Sequence, residues 1–147
     1  MPISTGIDIV NSITRAYSLD LATRTASANG TAIDITASAE PLIAVVVRSL
    51  AASAGTNPTL DITVEHSLDN SNWVAVDAAA IVDPSSGTND AATFTQVTDA
   101  AASLQVLGLR KQLLYRYIRV VATIGGTSTP TFLCSALIEY PKLETNS

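Results

Sequence analysis

From about Leu19 onward, apolar and polar residues alternate in short β-branched runs separated by Gly, Pro, Asn, Asp and Ser clusters. This is the pattern of antiparallel strands joined by turns. The clearest run is Thr59 to Ser67. Leu60, Ile62, Val64 and His66 fall on one side of a pleated strand, and Thr59, Asp61, Thr63 and Glu65 on the other, so the Leu60 side is expected to face the core. Ile33-Asp34-Ile35-Thr36 alternates in the same way after Asn29-Gly30 and predicts a half-buried strand. Leu42 to Val47 is continuously apolar after Pro41, which leaves two readings: a strand buried on both faces, or an inner strand covered by a neighbouring subunit. Leu68-Asp69-Asn70-Ser71-Asn72 is rich in residues that bond their own backbone, and with Trp73 to Asp77 it predicts a hairpin. Further strands are expected over Ala92 to Thr98, Leu104 to Leu109, Tyr115 to Ile124 and Thr131 to Tyr140, with turns at Gly125-Gly126 and around Pro130.

About eight short strands without interleaved helices define an all-β chain, a single antiparallel β-sandwich with jelly-roll topology expected. The sandwich is assigned to residues 19–141, an extended N-terminal arm to residues 1–18 and a short C-terminal tail to residues 142–147. In the arm, Ile9, Ile13 and Tyr17 recur at helical spacing, but over too few turns to stand alone. An arm lying on a neighbour is expected, with Ile3, Ile7, Ile9, Val10, Ile13 and Tyr17 as its contact residues.

Composition sharpens this picture. Of 147 residues, 47% are hydrophobic and only 14% charged, and the mean hydropathy is +0.31. No run reaches the roughly 18 apolar residues of a membrane helix, so no membrane partner is expected. The apolar excess is instead expected to be covered in a homo-oligomer or a larger assembly. A formal net charge of −5 lacks the basic footprint of a nucleic-acid binder. One cysteine, Cys134, permits neither an internal disulfide nor a thiolate zinc site. The first six residues lack the pattern of a secretory signal, so folding in the cytoplasm is expected.

Candidate chemistry is sparse. A nucleophilic site would have to use His66, the sole histidine, with Cys134 or a serine. Cys134 shares a strand face with Phe132, Ala136 and Ile138, which makes it an inert packed thiol. His66 ends the apolar face of its strand, where a neutral ring caps the core and bonds turn backbone. Asp61 and Glu65 share a face but lie about 13 Å apart along a strand, beyond the roughly 5 to 9.5 Å of glycosidase carboxylates. The acids of the Asp83 to Asp90 loop do not have EF-hand spacing. Trp73 is a core anchor or, as the rival reading, a sugar-stacking platform. Arg116 and Arg119, with Arg110-Lys111, form the one basic concentration. They serve either in solvated salt bridges or in meeting an acidic patch of a partner. No catalytic, cofactor or metal site is assigned, and no enzyme activity is expected.

Two segments carry a resemblance: Leu60-Asp61-Ile62-Thr63-Val64-Glu65-His66-Ser67-Leu68-Asp69-Asn70-Ser71-Asn72-Trp73, and Tyr117-Ile118-Arg119-Val120-Val121-Ala122 followed by Pro130-Thr131-Phe132. They resemble β-sandwich virion proteins of tailed bacteriophages. Size, Ala/Thr/Val-rich composition and the arm look most like a capsid decoration, or cement, protein. The resemblance runs from about Leu19 to Pro141. It implies a jelly-roll subunit on the capsid surface that bridges major capsid protein subunits as a homo-oligomer, a trimer being set ahead of a dimer. It implies no catalytic residues and no cofactor. A minor tail or baseplate component and a carbohydrate- or receptor-binding module are the alternatives.

Overall fold

The computed structural model describes residues 12–39, 42–85 and 92–142. Among these residues nine strands occur: β1 (Ile13–Arg24), β2 (Ala28–Asn29), β3 (Ile33–Asp34), β4 (Leu42–Ser49), β5 (Ala54–Ser67), β6 (Val74–Ala75), β7 (Ile81–Val82), β8 (Ser103–Arg110) and β9 (Tyr117–Pro141). All pairings between them are antiparallel.

The long strand β9 belongs to two layers. Its first part, residues 117–125, lies between β5 on one side and β2 and β3 on the other, and β6 extends the layer beyond β5. Its second part, residues 131–141, lies between β1 and β4, with β8 and then β7 beyond β4. The chain thus passes from β1 in one layer to β2 and β3 in the other, back to β4, across to β5 and β6, back to β8, and through both layers along β9. This alternation, with the last strand paired to the first, is the jelly roll the strand count led us to expect.

The two layers close on one core. Leu60, Ile62 and Val64 of β5 and Ile118, Val120 and Ala122 of β9 pack with Ile43, Val45 and Val47 of β4 and Phe132, Cys134, Ala136 and Ile138 of β9 in a single buried cluster. Period-2 alternation in β5 and in both parts of β9 puts these residues inside. The bend between layers is made where β9 meets the start of β5. Gly126 has φ +108°, and a Cβ there would come 2.7 Å from the Asn57 carbonyl oxygen. Gly55, with φ +110°, approaches Pro130 equally closely. Only glycine suits both the left-handed backbone and the close approach.

Several expectations are corrected. The turns expected at Gly125-Gly126 and Pro130 do not separate two strands, because the left-handed residues Gly126, Ser128 and Thr129 turn the chain within β9. Residues 92–98 do not form a strand; Val97 makes one isolated bridge to Leu60 at the free edge of β5. The strand expected over Ile33 to Thr36 stops at Asp34, whose carboxylate accepts bonds from the Thr36 amide and hydroxyl and so curls the chain. Ahead of that strand, Asn29 pairs with Val121, and the Gly30 amide donates to the Val120 carbonyl. Residues 13–18, placed above in the arm, are the first half of β1. Ile13 pairs with Pro141 and Tyr17 with Leu137, so backbone pairing ties this stretch into the sandwich. Lys142, placed in the tail, bridges to Ser38.

Candidate interaction surface

β4 explains how an unbroken apolar run fits a two-layer fold. Ile43, Val45 and Val47 point into the core, while Leu42, Ala44, Val46 and Arg48 point out. Of the two readings of this run, burial on both faces within the chain is not what occurs. Its outer side is half-buried or exposed.

The neighbouring strands continue that outer face. Cross-strand register aligns Val46 with Val106 of β8 on one side and with Leu137 of β9 on the other, and Leu137 with Tyr17 of β1. Val106–Val46–Leu137–Tyr17 is therefore one apolar row across four strands. Val106 is 43% exposed and Tyr17 51%. Two shallow hollows flank the row. One of about 230 Å³ is lined by Ile13, Leu42, Ala44, Val106 and Pro141. The other, of about 290 Å³, is lined by Tyr17, Leu21, Leu50, Leu133 and Arg48. Exposed Leu21 and Leu104 add to the patch. Its charges are few: Arg15 bonds Glu139 at 3.0 Å, and Arg48 stands exposed on the far side of the row.

Of the contact residues named from the sequence, Ile13 and Tyr17 lie on this face. Ile3, Ile7, Ile9 and Val10 lie outside the described residues. Arg116 and Arg119 are not brought to it. Arg116 bonds Asp34 at 2.8 Å and lies over the Tyr117 ring. Arg119 bonds Glu65 at 2.6 Å and covers the Trp73 ring, its guanidinium carbon 4.3 Å from the ring centre. Both arginines thus serve in internal ion pairs on the opposite layer. Trp73 is half-buried beneath Arg119 and lies outside the core, which corrects the core-anchor reading. The same guanidinium covers one face of that ring.

The remaining candidates are structural. His66 is buried, stacks on Tyr115 with ring centres 4.2 Å apart, and accepts a bond from the Tyr115 amide at Nδ1. Burial pushes its pKa below the usual histidine value and favours the neutral ring. Burial likewise pushes the Cys134 thiol up, against a smaller opposing pull from Arg24, the reverse of what a nucleophile requires. Asp61 accepts two bonds from Gln96 rather than converging with Glu65. Among the described residues, no three His, Cys, Asp or Glu side chains group to hold a metal ion, and no helix is long and apolar enough to cross a membrane. Val46 lies in the apolar run noted in the sequence, but the row it forms with Val106 and Leu137 is not visible there, because which side of an apolar strand faces outward is set by its neighbours' register.

The topology and outer face define an antiparallel jelly roll with one apolar exterior sheet. No family model and no curated protein matches the sequence. Among solved structures, a chain of infectious bursal disease virus, Gx strain, is similar over 92% of this chain, with a TM-score of 0.53 and 10% identity. The present chain spans 33% of the length of that one. At this identity the likeness concerns the fold: the chain shares its β-architecture with a viral structure.

Proposed function

We propose that the chain is a structural virion protein that binds the outer surface of a tailed-phage capsid and stabilises the shell by bridging major capsid protein subunits. The observation that carries this reading is the jelly roll itself, shared over nearly the whole chain with a viral structure. Three further features support it. The hairpin from Leu60 to Trp73 and the strand from Tyr117 to Ala122 are the segments that resemble phage virion sandwiches, and both are built around the core. His66 and Cys134, the residues a catalytic reading needs, serve packing. One sheet exterior is apolar in a chain of low charge, as suits a subunit embedded in an assembly. Many identical weak contacts on a repeating shell sum to a strong clamp. The segment ahead of Ser12, with Ile3, Ile7, Ile9 and Val10, is the proposed shell contact.

The test is the ratio of this chain to the major shell protein in purified particles, by quantitative mass spectrometry. A ratio near unity is expected. A few copies per particle would assign the chain to the tail or baseplate, and absence from particles would favour a receptor- or carbohydrate-binding module. A chain lacking residues 1–11 should keep its fold and lose the shell. Truncation to residue 17 is unsuitable, since it removes β1 residues paired with residues 137–141.

A further inference from the structure

Among the described residues, the apolar exterior of the β1–β9–β4–β8 layer places an unpaired arginine and an ion-paired glutamate on opposite sides of its central row. Val46 and Leu137 are direct cross-strand neighbours at the centre of the apolar row. Arg48 stands two residues to one side of Val46. Glu139, whose register partner is Ala44, stands two residues to the other side of Leu137. The two charges are thus placed at equal distances on either side of one row, an unpaired cation on one side and, on the other, the Glu139 carboxylate with Arg15 of its own chain 3.0 Å away. Within a chain they are four strand positions apart, about 13 Å along the strands, too far to pair. Arg48 has no ion-pair partner among the described residues.

We propose that this face is the contact between two copies of the chain, packed sheet to sheet about a two-fold axis that lies along the Val106–Val46–Leu137–Tyr17 row. Such an axis sets β4 over β4 and β9 over β9, running in opposite directions. Arg48 of one copy then lies above Ala44 of the other and beside Glu139 of the partner subunit. The operation repeats this contact, so on both sides of the row Arg48 of one copy joins the Arg15–Glu139 pair of the other, sharing its carboxylate. An isologous contact demands this self-complementarity. A face meant for a different protein has no need of it.

Size agrees with a contact between copies. Four strands about 4.8 Å apart, each presenting about eight residues, make a face of roughly 19 by 26 Å. With side-chain relief this is of the order of the roughly 800 Å² each partner contributes to a standard interface. The proposal does not rest on a capsid location. It replaces the trimer set ahead in the sequence reading with a two-fold pair, and it accounts for the outward residues of an apolar strand.

The test is sedimentation equilibrium of the purified full chain. The expected mass is twice the 15.3 kDa of one chain. Arg48→Glu and Glu139→Arg should each weaken association at least about tenfold, as close interfacial charge pairs do. The double variant R48E/E139R should return it to within about threefold of the starting value, since swapping both charges restores the pair. Such rescue requires contact between copies, because the two positions cannot meet within one chain. A chain that stays monomeric at about 100 μM, a mass of three chains, or a double variant no better than the singles would overturn the assignment. If Glu139→Arg does not fold, Arg48→Glu decides by itself, and an unchanged dissociation constant overturns the proposal. A monomer in solution with a copy ratio near unity in particles would give this face to the shell and leave the proposed function standing.

Discussion

The two exterior faces of the sandwich share a construction and differ in chemistry. On the β5 layer, Asp61, Thr63 and Glu65 alternate outward beside Thr123, Val121 and Arg119, and the charges are consumed in local bonds to Gln96 and Arg119. On the β4 layer, the corresponding outward positions hold Leu42, Ala44 and Val46, beside Val106 and Leu137. The inner faces of both layers are equally apolar and equally buried, so folding alone accounts for them. An antiparallel layer needs only one apolar face to fold and is ordinarily solvated on the other. The β5 layer follows that rule and the β4 layer departs from it. The departure therefore records a demand other than folding, namely what the outer face meets.

Adjacent valines of β4 give the widest expected contrast. Val45 is fully buried in the core and Val46 belongs to the outer row. Val45→Asp places a carboxylate without partners in the core, and the chain should lose upwards of about 4 kcal/mol, enough to prevent folding. Val46→Asp should cost about 1 kcal/mol in the separated subunit, the scale of strand propensity, while abolishing self-association. Urea unfolding and sedimentation of both variants measure the difference. If the Val46 variant unfolds like the Val45 variant, the outer row is part of the fold and the contrast between the faces disappears.

How far these faces were legible in the sequence depended on the strand. In β5 the period of two assigns Leu60, Ile62 and Val64 inward without any neighbour, and the structure agrees. In β4 every position from Leu42 to Val47 is apolar, so the period is invisible in the strand itself. Only register with Val106 and Leu137 reveals an outer row. Arg48 and Glu139 were missed for the same reason, since ninety-one positions of sequence separate residues whose relation is set by pairing. Ile13 and Tyr17 stood out as apolar residues, but four-residue spacing suits one side of a strand as well as of a helix, and backbone pairing with β9 decides for the strand. Gly126 and Pro130 are strong turn signals that end a strand in most chains. Here the matching irregularity in β5 around Gly55 and Asn57 lets both strands bend together. Trp73 was misread because Arg119, which covers it, lies forty-six residues away.

The polar face offers an intermediate effect. Arg119 joins Glu65 in an ion pair whose side chains are 18% and 24% exposed, and it shields the Trp73 ring. Arg119→Ala should lower stability by about 1 to 2 kcal/mol, combining a part-buried pair with a cation–π contact. Trp73 emission should shift to the red as its ring meets water. Association should be unchanged, because this layer is not the proposed contact. A variant that loses association along with stability would mean that the polar face takes part in assembly, and the comparison would need redrawing.

The smallest effect concerns Asp34, at the edge of the same layer. Its carboxylate accepts two bonds from Arg116 and further bonds from Thr36, which hold its pKa far below the ordinary aspartate value. A depressed folded-state pKa stabilises the fold above the unfolded value of about 3.9, and the contribution is lost as pH falls from there toward the folded value. Both side chains of the pair are more than a third exposed, so solvent screening limits the contribution to under about 1 kcal/mol. Wild type should thus exceed Asp34→Asn by less than that amount at pH 7. The gap should hold steady down to about pH 5 and narrow below about pH 4, because asparagine does not titrate. Urea midpoints at a series of pH values measure it. A gap that widens on acidification would show that the Asp34 charge destabilises the fold, and the polar exterior would then owe its charges to something other than the local pairing seen in the structure.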